Sequence, residues 1–330
     1  MKLKLITLIL LLFFSLKGMA QDPIFTQYFM VPETLNPGFT GFLETSKVGV
    51  LHKTQWPDLN FRVDTDYAFA NTWVESLNSG FGLNVMNSRE KFTNYSYTQI
   101  NLAYSYRVQL NDEWYFRPAI EMGLGNKSYN FQNILLEDQI NIGFGNNGSS
   151  IDPLAMNEKV NFFDLSAGML FNNENAWIGA SLKHLTKPNI SFSNTGNVPL
   201  DMFFSANAGY ELKIADYFDI LSLPYETKLM FTSNYMHQGV YNRLDLGTGV
   251  VMDRFFLGAT LATNPIRKAS NSPMLTSVNL YGGLQYQHFK FGYSYDFNLT
   301  KIGNTGGIYE LSLIYLFDFE KSCFSCPDYY

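Results

Sequence analysis

Four histidines, two cysteines and a scatter of mid-strand charges are the side chains in this sequence with catalytic or ligating chemistry. None of the histidines, His52, His184, His237 and His288, lies in a metal spacing such as H-E-x-x-H, and there is no G-x-S-x-G nucleophile elbow. A membrane hydrolase would set a Ser or Asp constellation around one of them, which makes each a candidate base. His184 and His288 fall at the ends of predicted strands, where a polar ring at an interface is the simpler reading. The sequence therefore assigns no catalytic, cofactor-binding or metal-binding residue.

Cys323 and Cys326 form a C-F-S-C tail. A lone C-x-x-C serves as a redox pair, half of a metal site or a small disulfide. No thioredoxin-like pattern surrounds it, and an oxidising compartment favours the disulfide. Four zinc ligands are missing, though a partner could supply two, which makes the tail a candidate docking element. The charges Glu121, Asp164, Glu211, Asp245, Asp296 and Asp318, with Arg107, Arg117, Lys183, Lys213, Arg243 and Lys290, recur opposite apolar faces. Inside a barrel, mixed signs solvate the lumen or pair across it; a selectivity filter is the functional alternative.

The elements that carry these charges are clearest between Phe289 and Phe319. Phe289, Phe291, Tyr293, Tyr295, Phe297 and Leu299 alternate with Lys290, Gly292, Ser294, Asp296 and Asn298. Tyr309, Leu311, Leu313, Tyr315, Phe317 and Phe319 then alternate with Glu310, Ser312, Ile314, Leu316 and Asp318. A period of two over eleven residues gives a strand a continuous apolar face and gives a helix none. Globular strands average about five or six residues and membrane-spanning strands need about nine to eleven. The pair reads as the closing hairpin of an outer-membrane barrel. The alternation further predicts that Tyr293→Arg is costly in lipid and Ser294→Arg better tolerated.

At the other end, Lys2 and Lys4, the apolar run Leu5 to Phe14 and Gly18-Met19-Ala20 describe a secretory signal peptide, with cleavage expected after Ala20. No cysteine follows the cut, which argues against a lipid anchor. Removal of Lys2, Lys4 and Lys17 leaves 20 basic and 29 acidic residues, net −9, with no nucleic-acid footprint. Aromatics and charged residues at 16% each, with mean hydropathy near zero, fit a barrel whose lipid-facing and lumenal residues average out.

Fourteen strands are predicted, at about 45–56, 61–73, 79–89, 94–110, 113–131, 162–172, 175–184, 201–214, 225–237, 240–252, 254–263, 275–288, 289–299 and 307–319. Pro118 in the fifth lacks a ladder donor and belongs near a strand start or bulge. With both ends of the barrel in the periplasm, even-numbered connections should be short and odd-numbered ones long. Two connections break the rule, 215–224 and the turn at Gln238-Gly239. Closure removes the unpaired edge that hydrocarbon does not tolerate. A secreted β-sandwich would also alternate, but many of its strands would be half as long. The division is thus a signal peptide at 1–20, a periplasmic or lumenal segment at 21–44, a transmembrane antiparallel β-barrel of about 14 strands at 45–320, and a C-x-x-C tail at 321–330. The segment Gln21 to Gly41, with three prolines and no alternation, is expected to enter the lumen.

Gln21-Asp22-Pro23, Phe25-Thr26-Gln27-Tyr28 and Asn36-Pro37-Gly38-Phe39-Thr40-Gly41 resemble the Q-D-P-x-F-S-Q-Y and N-P-A-Y-x-G motifs of the PorP/SprF family of type IX secretion and gliding-motility proteins. Gln55-Trp56 resembles that family's Q-W pair. Phe291 to Asp296 and Tyr309-Glu310-Leu311-Ser312-Leu313 are similar to its F-G-Y-S-Y-D and H-E-I-S-L strands. Thr26, Gly38-Phe39 and Tyr309 depart from the pattern. The resemblance implies a non-enzymatic outer-membrane component that binds a secreted, adhesin-like cargo with a type IX C-terminal domain and assists its export or retention. It implies outer-membrane lipid and the secretion apparatus as further partners, no nucleic acid and no cofactor. It marks Gln21, Asp22, Pro23, Gln27, Tyr28, Asn36, Pro37, Gly41, Trp56 and Asp296 as structural or partner-binding positions. A passive or hydrophobic-solute transporter of similar strand number is the competing reading.

Overall fold

A computed structural model describes residues 22–129, 140–141, 145–146, 159–193, 195–214, 227–266, 274–300 and 305–317. Cys323, Cys326, Gln21 and Asp318, and the signal-peptide segment, lie outside the described residues. Fourteen long antiparallel strands form the barrel: β1 Lys47–Gln55, β2 Val63–Val74, β3 Ser79–Glu90, β4 Ser96–Tyr106, β5 Tyr115–Ser128, β6 Lys159–Asn172 and β7 Ala176–Lys183. β8 Phe203–Lys213, β9 Lys228–Gln238, β10 Tyr241–Met252, β11 Phe255–Thr263, β12 Leu275–Tyr286, β13 Phe289–Asn298 and β14 Ile308–Leu316 complete it. Each strand pairs with its sequence neighbours, and β1 pairs with β14 from Lys47 opposite Leu316 to Gln55 opposite Ile308. The sheet therefore has no free edge, as a bilayer requires.

The faces separate as the alternation predicts. Phe291, Tyr293 and Phe297 of β13 are exposed outward, whereas Lys290, Ser294 and Asp296 are buried inward. In β4, Ile100, Leu102 and Tyr104 point out, and Asn101, Ala103 and Ser105 point in. Pro118 is the fourth residue of β5 and faces a gap in the ladder. Pairing with the preceding chain stops at Ser105 opposite Ala119 and resumes, in unchanged register, at Val108 opposite Phe116. The missing proline donor interrupts the ladder without bulging it.

The connections also follow the expected asymmetry. Asn173–Asn175, Asp253–Arg254 and Gln287–His288 are tight at one end, and the long connections after β5, β7, β11 and β13 share the other. Short turns mark the periplasmic side of an outer-membrane barrel, so the long loops face the cell exterior. The two exceptions persist, with a long β8–β9 connection and a two-residue β9–β10 turn at Gly239 and Val240.

The lumen is filled. Phe25, Phe29, Met30, Val31, Phe39 and Phe42 of the N-terminal segment form one buried cluster with Leu51, Tyr67, Phe69, Leu170, Trp177, Phe256, Tyr281 and Ile314 of the wall. Tyr28 and Leu35 make a second cluster with Phe203 and Met236. The barrel thus carries an inner apolar core, with the described part of the N-terminal segment as a folded plug.

Candidate functional site

The plug is built from turns, because its prolines and glycines forbid a longer regular element. Pro32–Thr34 and Pro37–Phe39 are single 3₁₀ turns, each with proline in its first turn, where the lost donor costs nothing. Asn36 caps the second turn: its Oδ1 accepts from Gly38 N at 2.8 Å, while its Nδ2 donates to Met169 O of β6 at 2.9 Å. Room for this side chain comes from the wall. A Cβ at Gly168 would lie 2.3 Å from Asn36 Oδ1, and one at Gly179 would lie 2.7 Å from Nδ2. Gly41 turns the chain toward β1 with φ +65°, a left-handed conformation that a side chain strains. Its neighbour Thr40 lies so close to β3 that a Cβ at Gly80 would be 2.2 Å from Thr40 O.

Polar groups on the inner face fix the plug along its length. Glu310 of β14 accepts from Thr26 N at 2.9 and 3.0 Å and from Gln27 N at 2.9 Å. Gln27 Nε2 donates to Glu310 O at 2.9 Å, and Ser312 Oγ donates to Gln27 Oε1 at 2.6 Å. Lys53 Nζ donates to Ile24 O and lies 4.0 Å from Glu310. Further along, Leu35 O accepts from Ser181 Oγ at 2.6 Å and Ser205 Oγ at 2.8 Å, and Thr34 O accepts from Lys183 Nζ at 2.6 Å. Glu33 pairs with Lys47 at 2.6 Å, and near the periplasmic end Glu44 pairs with Arg107 and, at 2.9 Å, with Arg117. Tyr28 directs its hydroxyl at Thr260 Oγ1, 3.5 Å away, and burial raises its phenol well above the usual range.

One expectation fails outright. His184 is not an interfacial ring but is 2% exposed inside the barrel. Its Nε2 lies 2.6 Å from Asp22 Oδ2, and its Nδ1 lies 2.6 Å from Asp164 Oδ2. Burial opposes the charged ring, but the two carboxylates outweigh it and hold the imidazole up at about 9. Burial likewise pushes the Asp22 carboxyl up, and His184, with Lys183 and Lys127, outweighs that and leaves it below its ordinary value. Both nitrogens are committed to carboxylates, so this ring cannot take a proton from a hydroxyl as a catalytic base must. It is a charged clasp.

The described sequence-marked positions serve the plug, the cavity above it, or, for Asp22, both. Asp22, Gln27, Tyr28, Asn36, Pro37 and Gly41 bond, pack or shape the plug. Trp56 and Asp296, with Asp22 and Pro23, line a cavity of about 450 Å³ between the plug and the outer mouth. The plug's charged anchors Glu310, Lys53, Glu33, Lys47 and Glu44 lie outside the positions that the sequence marks as structural or partner-binding. Their signal was a lone charge on an inward strand face or beside the proline turns.

Solved structures with a similar outline include outer-membrane proteins. They include the Pseudomonas putida toluene transporter TodX (TM-score 0.49, 9% identity, 86% of this chain and 92% of that one). A Pseudomonas aeruginosa FadL homologue (0.45, 13%, 86% and 93%) and the Acinetobacter baumannii outer-membrane protein Omp33 (0.45, 10%, 84% and 100%) are others. At these scores they say nothing about what this chain does. No curated protein matches the sequence. The family model does: residues 18–315 match the type IX secretion system membrane protein PorP/SprF, so this plugged, closed barrel belongs to the PorP/SprF family.

Proposed function

We propose that this chain is a non-enzymatic binding component of the type IX secretion machinery, which engages one secreted, adhesin-like cargo and assists its export or surface retention. Family membership makes it an outer-membrane component of that system. The observation that supports binding over passive transport is the plug. Glu310 holds two consecutive backbone amides of the plug, His184 clasps Asp22, and Phe29 stacks on Tyr281 at 4.2 Å between ring centroids. An open diffusion channel of this width would keep an aqueous path through its lumen. Here an apolar core occupies that path, leaving the outer mouth and long loops for a partner and the periplasmic face for the secretion apparatus. Cleavage of the signal peptide after Ala20 and a disulfide between Cys323 and Cys326 belong to the same proposal.

The test is deletion of the gene, with surface and secreted proteins quantified by mass spectrometry against a complemented strain. Selective loss of one large substrate with a type IX C-terminal domain is the expected result. An unchanged surface proteome, together with solute flux in liposomes, would overturn the reading in favour of a transporter.

A further inference from the structure

The cavity of about 450 Å³ above the plug is walled by Lys53, Glu90, Arg243 and Asp296, with Trp56 and Tyr95 also contributing. It falls in the range of small-ligand pockets, roughly 300–1,000 Å³. A folded domain does not fit, since even 100 residues have a radius of gyration of about 13 Å. Whatever enters is a short segment.

The wall is unsatisfied in a particular way. Arg243 Nε donates to Asp245 at 2.8 and 3.0 Å, yet its Nη2 is buried without an acceptor. Asp296 is 2% exposed and its Oδ1 has no donor, although the Arg243 and Lys53 charges act on it without a hydrogen bond to that oxygen. The neighbouring charges are occupied. Lys53 serves Ile24 O and Glu310, and Glu90 accepts from Phe92 N at 2.5 Å and Thr93 N at 2.8 Å in its own turn. A buried carboxylate oxygen without a donor is costly, so its presence at a cavity marks a place for one. The open positions require a donor at Asp296 and an acceptor at Arg243. A simple anion satisfies only the second and a simple cation only the first.

We propose that this cavity receives a short extended polypeptide segment of the secreted partner. A lysine or arginine side chain of that segment reaches Asp296, and one of its backbone carbonyls reaches Arg243 Nη2. The assignment rests on the reading that the barrel binds a secreted protein, and it names the part that enters. The partner's folded domain stays outside, over the long loops.

The experiment titrates the purified full-length protein in detergent micelles with N-acetyl-Gly-Lys-Gly-amide, its Gly-Glu-Gly counterpart and maltotriose, by calorimetry. The lysine peptide is expected to bind about tenfold tighter than the glutamate peptide. Asp296→Asn should erase that preference while the barrel keeps its heat-modifiable migration. Ser277→Trp, which fills the cavity from its wall, should abolish binding. Equal affinities, absence of binding to the folded wild-type protein, or binding of maltotriose in place of peptide would each overturn the proposal. The wild-type comparison alone decides if either variant fails to fold. The proteome of the deletion strain is independent of this titration, so the secretion reading and the peptide reading fail separately.

Discussion

Asp22 Oδ2 lies 2.6 Å from His184 Nε2, so the first described residue of the chain is tied to the outer end of β7, 162 positions later. The same imidazole is held from its other side by Asp164, which also accepts from Thr186 Oγ1 at 3.0 Å. The Asp22 amide donates to Gln238 Oε1 at 2.9 Å. The clasp thus ties the N-terminal segment to β6, the end of β7 and the end of β9 at one point.

The clasp has a defined pH window. The folded pKa of His184, about 9, lies above its ordinary 6.5, so its contribution is fully present below about pH 6.5 and is lost as pH rises through 9. The Asp22 pKa is depressed, so its contribution is present above its ordinary 3.8 and fades as pH falls below that. Hydrogen exchange of the Asp22 amide should therefore be slowest between about pH 4 and 6.5, after correction for intrinsic rates, and speed up steadily from there toward pH 10. A protection factor unchanged between pH 7 and 10 would show that the clasp does not hold the plug.

Gly80 and Gly41 predict a steric limit at the base of the plug. A side chain at Gly80 would meet Thr40 O at 2.2 Å, and one at Gly41 would meet Gly80 Cα at 2.6 Å with φ already at +65°. Gly41→Ala should cost about 1–3 kcal/mol from backbone strain, with the clash added. Gly80→Val should displace the plug. Outward-facing Leu83→Val on the same strand is the control and should change little. Limited proteolysis near residues 40–46 reads the difference, and equal resistance in all three variants would refute close packing there.

The plug sets different fates for substitutions at Tyr293 and Ser294. Tyr293 is exposed on the outer face, so Tyr293→Arg is still expected to cost about 2–4 kcal/mol if it lies near the bilayer midplane. Ser294 is fully buried, and its Oγ accepts from Gln27 Nε2 at 3.2 Å. Ser294→Arg should therefore drive out Gln27 and fail too, for a different reason. The two are separable by lipid: thinner bilayers should rescue Tyr293→Arg in part and leave Ser294→Arg unchanged. A folded, plug-protected Ser294→Arg barrel would show that the lumen has spare room beneath Gln27.

The wall was legible in the sequence because a period of two needs no tertiary context, as β4 and β13 show. The inside was not. Tyr67 and Phe69 of β2 point inward onto the plug while Ala68 and Ala70 face out, reversing the rule that large apolar residues seek lipid. Nothing local distinguishes an aromatic bound for a lumenal core from one bound for the bilayer. His184 was misjudged for the same reason, since its partners Asp22 and Asp164 lie 162 and 20 residues away in sequence. The turn residues Asn36, Pro37 and Gly41 were visible as a motif, but their purpose depends on Gly168, Gly179 and Gly80, distant strand positions whose closeness to the plug exists only in the fold.

Phe29 decides whether the plug is a removable stopper or part of the fold. It is buried against Tyr281 at 4.2 Å and edge-on to Phe256 at 5.5 Å, joining β11 and β12 through the lumen. If the plug is integral, Phe29→Ala removes a core aromatic and should cost about 3–5 kcal/mol in global stability. Urea unfolding of the refolded barrel in lipid would then show a lower midpoint with an unchanged slope, because the same surface is exposed in one cooperative step. If the plug is separable, the midpoint holds and the variant instead gains conductance in planar bilayers. The inner core shared by Phe25, Phe29 and Phe39 with Tyr67, Trp177 and Tyr281 favours the first outcome. Those wall residues would otherwise expose aromatic surface to a lumen that water could enter.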